Sequence, residues 1–302
     1  MKTSTLSLAL ALLIAATPAA AHRQWILPSA TTVEGDQPYV TFDAAISEGL
    51  FDFDHLPIKL DGLVITGPDG QPIQPENSAS GKHRSVFDLK LAKPGTYRAS
   101  LVNTSVMASY MLGSEQKRWR GTESELPPAI PAGATDVRTT RMESRVETYV
   151  TAGEPTTKAL APIGKGLELV PLTNPTENVL GTPARLRALV DGKPVAGLDI
   201  TIVPGGGRFR AAAGDISVKT DAAGEVTINW PMAGMIWVGA NWPAREGNSE
   251  GPAKPDAPAP SPPRRLSYSA TFEVAPFLSQ RVQIGRLGRT IGQTQWCLGG
   301  WR

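Results

Sequence analysis

Cysteine is nearly absent from this sequence, and the motifs that depend on closely spaced metal ligands are absent with it. Cys297 is the only cysteine among the 302 residues, so no internal disulfide bond can form. Only three histidines occur, and no His-Glu-x-x-His motif or Gly-rich phosphate-binding loop is found. The absence of these motifs disfavours zinc-finger, metalloprotease and nucleotide-binding functions.

Long apolar runs are confined to the N-terminus. Lys2 supplies a positive charge, residues 6–16 form an apolar run, and the small residues 19–21 follow. This order is typical of a secretory signal peptide cleaved after Ala21, and it predicts export to the periplasm as a mature protein that begins at His22. A spanning helix needs about 20 apolar residues and no later segment approaches that length, so the mature protein is not expected to span a membrane.

Neither sign of charge dominates the mature chain. Once Lys2 is removed with the signal peptide, 29 basic side chains stand against 28 acidic ones. Partners with a high negative charge, such as nucleic acid or an anionic membrane surface, are therefore not expected.

The abundant residues are those of turns and strands. Gly (30 residues) and Pro (27 residues) together make up nearly a fifth of the chain and separate short runs rich in strand-forming residues. In residues 85–91, Phe87, Leu89 and Leu91 share one face, as in a half-buried antiparallel strand. Repetition of this pattern predicts an all-β fold of two Ig-like β-sandwich modules in tandem after the cleaved signal peptide.

Shifts in composition divide the chain into parts. Residues 113–140 interrupt the strand pattern with charged residues and prolines, and are expected to form an excursion with a helical turn. A Pro-, Ala- and Gly-rich insert at 243–263 is expected to be a flexible loop, because it has few large apolar side chains to bury. The predicted parts are a signal peptide at 1–21, a first β-sandwich domain at 22–151, a linker at 152–166, a second Ig-like domain at 167–275 and a tail of unknown structure at 276–302.

The start of the mature chain is chemically unusual. A free α-amine and the Nδ1 of His22 can chelate one metal ion in a small ring, and imidazole suits copper, nickel and zinc. His55 is the second candidate ligand for a divalent transition metal ion, and Asp43, at the end of a predicted strand, is the third. Asp54 and His83 rank below them. A histidine among aromatic residues is more often packed than metal-bound, so a structural role for His55 stays open.

Four short motifs along the mature chain point to a known family. Ala-His-Arg-Gln-Trp-Ile-Leu-Pro-Ser stands at 21–29 and Pro-Gly-Thr-Tyr at 94–97. Leu-Glu-Leu-Val-Pro follows at 167–171 and Asp-Gly-Lys-Pro at 191–194. Over residues 22–275 the chain resembles a family of envelope proteins of unknown function that is related to periplasmic components of nickel and cobalt uptake systems.

The resemblance implies a role beside a membrane transporter or a TonB-dependent receptor, with the N-terminal histidine of the family carried over onto His22. Sequences of this kind often have further histidines after the last strands of the second module, whereas residues 239–242 have none. The identity of the metal therefore stays open among nickel, cobalt, copper and iron.

Three hypotheses follow for the function. The first is a non-enzymatic periplasmic accessory protein that binds a transition metal during uptake. The second is a scaffold or interaction module for an envelope receptor or transporter, without bound metal, in which Trp119 and Trp242 matter more than His22. The third, an oxidative copper enzyme, is disfavoured because the sequence shows no obvious aromatic binding plane.

Overall fold

The computed structural model describes residues 22–210, 214–243 and 263–276. The predicted signal peptide at 1–21, nearly all of the Pro-rich insert, and the tail after Pro276 lie outside these ranges. None of the helices within the described ranges is long and apolar enough to cross a membrane.

Strands account for most of the described chain, which confirms the prediction of an all-β fold. Helical structure in these ranges is limited to 3-10 turns at Glu123–Glu125, Lys158–Leu160 and Gly207–Phe209 and to one α-helical turn, α1, at Leu126–Ala129. The strands are β1 (Arg23–Pro28), β2 (Thr32–Val33), β3 (Tyr39–Ser47), β4 (Leu56–Pro57), β5 (Leu63–Thr66), β6 (Pro72–Ile73), β7 (Glu76–Ser80), β8 (Ser85–Lys90), β9 (Gly95–Leu112), β10 (Glu115–Gly121), β11 (Thr135–Ala152), β12 (Leu167–Pro171), β13 (Ala184–Val190), β14 (Lys193–Pro194), β15 (Asp199–Pro204), β16 (Ile216–Lys219), β17 (Glu225–Ile228), β18 (Gly234–Trp242) and β19 (Arg264–Val274).

The described strands form three sheets. One has the order β1-β3-β8-β7, with β4 beside β3, and another has the order β12-β13-β14, with β17 beside β13. The largest sheet runs β16-β15-β18-β19-β11-β9-β5-β6, with β10 beside β9 and β2 beside β11. Its strands are antiparallel except where β11 pairs with β19 and with β2. This sheet therefore passes through both halves of the chain.

Two hydrophobic cores lie against the largest sheet. The first is closed by the sheet of β1, β3 and β8, and its buried members include Ile26, Phe42, Phe87, Tyr97 and Leu101. The second is closed by the sheet of β12, β13 and β17, and its buried members include Leu167, Leu186, Ile200, Val238 and Phe272. Each large side chain buried in this way contributes about 1.5–3 kcal/mol. The prediction of two β-sandwiches is thus confirmed, while the limits proposed for each domain stay a prediction.

Strand β11 lies where the two sandwiches meet. Val146 and Val150 pack in the first core, whereas Tyr149 packs in the second. The alternation of apolar and polar side chains in residues 142–151 predicts a strand with one face in a core and the other in solvent. That prediction is wrong for residues 145–152, which are all buried, because the second sandwich covers the face that alternation assigns to water.

Charged groups are buried on the face of β11 that turns towards the second sandwich. Arg145 and Glu147 have side chains only 4% exposed, and their nearest nitrogen and oxygen atoms are 3.6 Å apart. The hydroxyl groups of Tyr149 and Tyr268 donate to Glu147 at 3.1 and 2.8 Å. Arg145 also donates to the carbonyl oxygen of Lys165 at 2.9 Å. These contacts supply much of the hydrogen bonding that a buried charge pair requires, although the Nε of Arg145 has no hydrogen-bond partner among the described residues.

The excursion predicted at 113–140 belongs to a β-hairpin arm. Strands β9 and β11 are each 18 residues long and pair over most of their length, and β10 folds back along the outer part of β9. The predicted helical turn is present at residues 126–129. Most residues of β10 are exposed, so the arm, defined here as residues 107–140, extends beyond the cores.

A turn of the second sandwich is attached to β11 and β19 by one arginine. The Arg264 guanidinium donates to Asp191 at 2.6 Å and to Glu143 at 3.1 Å. Asp191 also accepts the backbone N–H of Gly166 at 2.8 Å. The hydrogen bond from Arg264 lowers the pKa of the Asp191 carboxyl group, against an opposing effect of burial.

Replacing Asp191 with asparagine is expected to lower the free energy of unfolding at pH 7 by no more than about 1 kcal/mol, because the pair is partly exposed. Asparagine also tolerates the positive φ of 49° at this position. Since the pKa is lower in the folded than in the unfolded chain, the carboxylate stabilises the fold above its unfolded pKa of about 3.9, and this contribution is lost as pH falls through the folded value. Urea denaturation should therefore show the wild type and variant converging below about pH 4; an equal difference at pH 7 and pH 3 would contradict the assignment.

Candidate metal site and adjoining cleft

Strand β1 fixes the position of His22, the first described residue. Trp25 and Ile26 in this strand are fully buried in different clusters, so each side chain has its own place in a core and packing on both faces sets the register of the strand. β1 is antiparallel to β3, with its first residue opposite Ser47. His22 therefore lies against the loop that follows β3, and its Nε2 is 3.4 Å from a carboxylate oxygen of Glu48.

His55 reaches the same place because residues 48–55 fold back beside the end of β3. The two carboxylate oxygens of Asp54 accept the N–H groups of the first two loop residues, at 3.0 and 2.8 Å. Strand β4 then pairs with β3 directly after His55. As a result the imidazole rings of His22 and His55 stack, with their centroids 4.1 Å apart and 25° between their planes.

Two adjacent imidazoles have the chemistry of a transition-metal site. Each neutral ring presents one nitrogen lone pair, and copper, nickel and zinc bind imidazole nitrogen well. Within the described ranges, however, no three His, Cys, Asp or Glu side chains are arranged to hold a metal ion. A complete site at His22 and His55 therefore needs a further ligand, either the α-amine that signal-peptide cleavage would create or the carboxylate of Glu48.

Asp43, predicted as the third ligand, is not brought to this pair. It lies opposite Leu27 in the register of β1 and β3, five residues before Glu48 and so roughly 16 Å along the strand. Its carboxylate pairs with the Arg84 guanidinium at 3.3 Å, and burial raises its pKa while Arg84 opposes the rise. The antiparallel register explains the difference, because the start of β1 meets the end of β3 and not its middle.

The two lower-ranked candidates, His83 and Asp54, support the loop that carries His55. A carbonyl oxygen can only accept, so His83 donates through its Nδ1–H to the backbone oxygen of His55, at 3.1 Å. Asp54 uses both of its oxygens on backbone N–H groups. Sequence reasoning did not single out Glu48, whose place beside His22 depends entirely on strand register.

A cleft of about 750 Å³ opens beside His22, between β1 and strands β11, β18 and β19. Aromatic and charged side chains line it together with small polar residues. Clefts of about 300–1,000 Å³ with this mixture are typical of small-molecule sites. The charged residues and indoles of the lining are Arg23, Arg145, Asp215, Trp237, Trp242 and Arg265.

Contacts across the cleft hold β1 against the second sandwich. The indole N–H of Trp237 and the hydroxyl of Ser269 each donate to the carbonyl oxygen of Gln24, at 2.9 Å. The Trp237 ring lies over Gly239, where a Cβ atom would come within 2.1 Å of a ring carbon, so glycine is needed to leave room for the ring. The guanidinium of Arg23 lies 5.7 Å from the centre of the same ring. The start of β1 is therefore tied to both sandwiches.

Sequence reasoning missed this cleft because its walls come from distant segments. Gln24 and Trp237, which meet in the cleft, are separated by 213 positions.

Sequence reasoning also passed over a Gly-x-Ser-x-Gly pattern at residues 247–251. Such a serine acts as a nucleophile where a strand leads into the motif and a helix follows, and these residues fall in the Pro-rich insert, outside the described part of the chain.

Several solved structures are similar to this chain at low sequence identity. The D0-D1 domain of intimin is 11% identical, with 82% of this chain and 97% of that chain covered and a TM-score of 0.19. A DUF4785 family protein from Legionella pneumophila is 8% identical, with coverages of 71% and 50% and a TM-score of 0.23. The ligand-binding domain of human OSCAR is 14% identical, with coverages of 74% and 93% and a TM-score of 0.17. No curated protein matches the sequence.

A protein-family model matches residues 19–244, which is more than half of the chain. The matched part begins before His22 and runs past the end of β18. It therefore contains the stacked histidines and three of the four strands that border the cleft. The chain belongs to the DUF4198 family, which is defined by a domain of unknown function.

Proposed function

We propose that this protein is a non-enzymatic periplasmic accessory protein of metal uptake, which binds a divalent transition metal ion at the start of its mature chain. The observation that carries the proposal is the stacked pair of His22 and His55. The resemblance to envelope proteins related to nickel and cobalt uptake supports the same class of function. The ion is nickel, cobalt, copper or iron, and its partner is a membrane transporter or a TonB-dependent receptor.

The surroundings of the pair suit a metal that is bound and released. The side chain of His22 is 44% exposed, so an ion can reach it from solvent without opening a core. Cleavage after Ala21 would add an α-amine on the same residue, which can close a small chelate ring with Nδ1. Two imidazoles and the amine would form a nitrogen donor set, of the kind that Cu(II) and Ni(II) accept. Glu48 lies at the other ring nitrogen of His22, Nε2, so its carboxylate is an alternative to the amine and not an addition to it.

The direct test is the N-terminal residue and metal content of the protein purified from the periplasm, measured by intact mass and elemental analysis. We expect a chain that begins at His22 and carries about one nickel, cobalt, copper or iron ion per molecule, as one site of this type predicts. A mature chain that starts elsewhere, or one that binds none of these ions when titrated, would refute the proposal.

A metal-free interaction module is the second candidate, and the arm at 107–140 favours it. Met107, Leu112 and Val137 are exposed apolar side chains on this arm, and exposed apolar groups rimmed by charge are typical of contact surfaces. Deletion of the arm, with a short turn joining β9 to β11, would then abolish a phenotype that His22→Ala leaves intact. The opposite pattern supports the metal-binding function.

A further inference from the structure

We infer that the cleft beside His22 receives the metal as an anionic chelate, a complex of the ion with a small carboxylate-bearing molecule. The inference rests on the proposed function, because it takes His22 and His55 as the place where the protein meets the metal. It adds the form in which the metal arrives and the residues that recognise its organic part.

The size of the cleft argues against the hydrated ion as its occupant. A divalent ion with six waters needs roughly 200 Å³, since each water takes about 30 Å³ in the liquid. The cleft offers about 750 Å³, which is room for an organic molecule of moderate size in addition to the ion. His22 lies in its wall, so a ligand in the cleft can present its metal to the imidazole.

The charges of the wall favour an anion. Of its three arginines, Arg23 is paired with Asp215 at 2.6 Å, and Arg145 is balanced by Glu147 at 3.6 Å. Arg265 is exposed and lines the cleft, and no carboxylate in the described ranges forms an ion pair with it. A guanidinium binds a carboxylate through two parallel hydrogen bonds, so Arg265 is suited to an acidic group of a ligand.

The remaining wall suits the carbon skeleton of such a ligand. The indoles of Trp237 and Trp242 are half-buried and line the cleft, and flat apolar surfaces of this kind accept hydrocarbon groups. Asn241 and Ser267, also in the wall, can donate hydrogen bonds to carboxylate or hydroxyl oxygens. The combined surface matches a compact polycarboxylate better than an inorganic ion.

The test uses equilibrium dialysis of the mature protein beginning at His22. The probes are Cu(II) alone, Ni(II) alone, radiolabelled citrate alone, and each ion in a 1:1 complex with radiolabelled citrate. We expect citrate to be retained together with the metal, and to be retained at least about tenfold less when no metal is present. Retention of the metal without citrate, or equal retention of free citrate, would overturn the inference.

The decisive variant is Arg265→Glu, with Arg118→Glu as the matched control. Arg118 is an exposed arginine on β10 and is not among the residues that line the cleft. We expect Arg265→Glu to lower the affinity for the metal–citrate complex by about tenfold or more, as loss of a charge-assisted contact implies, with binding of the ion alone unchanged. Arg118→Glu should change neither quantity, and equal effects of both variants on the complex would overturn the inference.

The outcomes separate the inference from the function on which it rests. If the ions alone bind and their binding is lost in His22→Ala, but citrate is not retained with them, the cleft proposal fails and the metal-binding function stands. If neither the ions nor their complexes bind, the proposed function fails and the inference fails with it.

Discussion

Mature protein carrying His22→Ala is expected to bind Cu(II) or Ni(II) at least about 100-fold more weakly than wild-type protein. Changing only a group that supports a metal ligand commonly costs 10–100-fold in affinity, so removing a ligand should cost more. The substitution deletes one of the two stacked imidazoles and the chelate ring that His22 would form with its own amine after cleavage. His55→Ala should produce a loss of similar size, because it removes the second ring of the same pair.

The measurement is a competitive titration against a chromogenic chelator, with each chain produced by cleavage of a fusion partner so that residue 22 is the first residue. His83→Ala is the graded comparison, since His83 donates to the backbone oxygen of His55, and it should weaken binding by about 10–100-fold, less than either ligand substitution. A chain extended by Gly-Ser before His22 tests the amine separately. Unchanged affinity in both His22→Ala and His55→Ala would refute the site.

Glu147→Gln is expected to destabilise the fold by about 3–5 kcal/mol, because it leaves buried guanidinium charge without its carboxylate. Glu147 is the acidic partner of Arg145, and both side chains are 4% exposed. Burial and the nearby Glu147 carboxylate raise the pKa of the Tyr149 and Tyr268 hydroxyls, so both hydroxyls stay protonated and donate to Glu147. An amide at this position accepts fewer of these bonds and carries no charge.

Thermal unfolding followed by circular dichroism checks this result. A loss of this size corresponds to a decrease in Tm of roughly 6–20 °C for a domain of 150–250 residues. Glu123→Gln is the control, since Glu123 forms an exposed ion pair with Arg141 and such pairs contribute at most about 1 kcal/mol. Equal shifts in the two variants would show that the buried pair adds nothing to the stability of the shared sheet.

The secondary structure was largely predictable, because alternation and turn residues act over a few positions. Of the predicted strand at residues 85–91, Ser85–Lys90 form β8, and Phe87 and Leu89 share a face and are both buried. The same alternation led to a wrong prediction for β11, where one face was expected in solvent but residues 145–152 are buried on both faces. Nothing within ten residues of this strand signals that β19, more than 120 positions later, pairs with it.

The candidate site was predictable in its chemistry but not in its full composition. His22 and His55 stood out as residue types that bind metals, and the structure places their rings in contact. Asp43 was chosen by its nearness to a strand end, yet the register of β1 and β3 puts Glu48 beside His22 instead. A shift of one residue in that register would change which carboxylate is near, and a single sequence does not report register.

Taken by itself, the sequence determined the all-β class, the turn positions, the near-neutral charge and the scarcity of histidine that makes His22 conspicuous. Only the tertiary structure decided which distant residues meet: the stacking of His22 on His55, the sharing of one sheet by both sandwiches, and the cleft that is lined by both Arg265 and the start of β1. The type of a secondary-structure element depends on a few neighbouring residues, because they set the backbone geometry and decide which side chains share a face. Long-range pairing depends on the burial of side chains from the whole chain at once, and short segments of sequence carry no record of it.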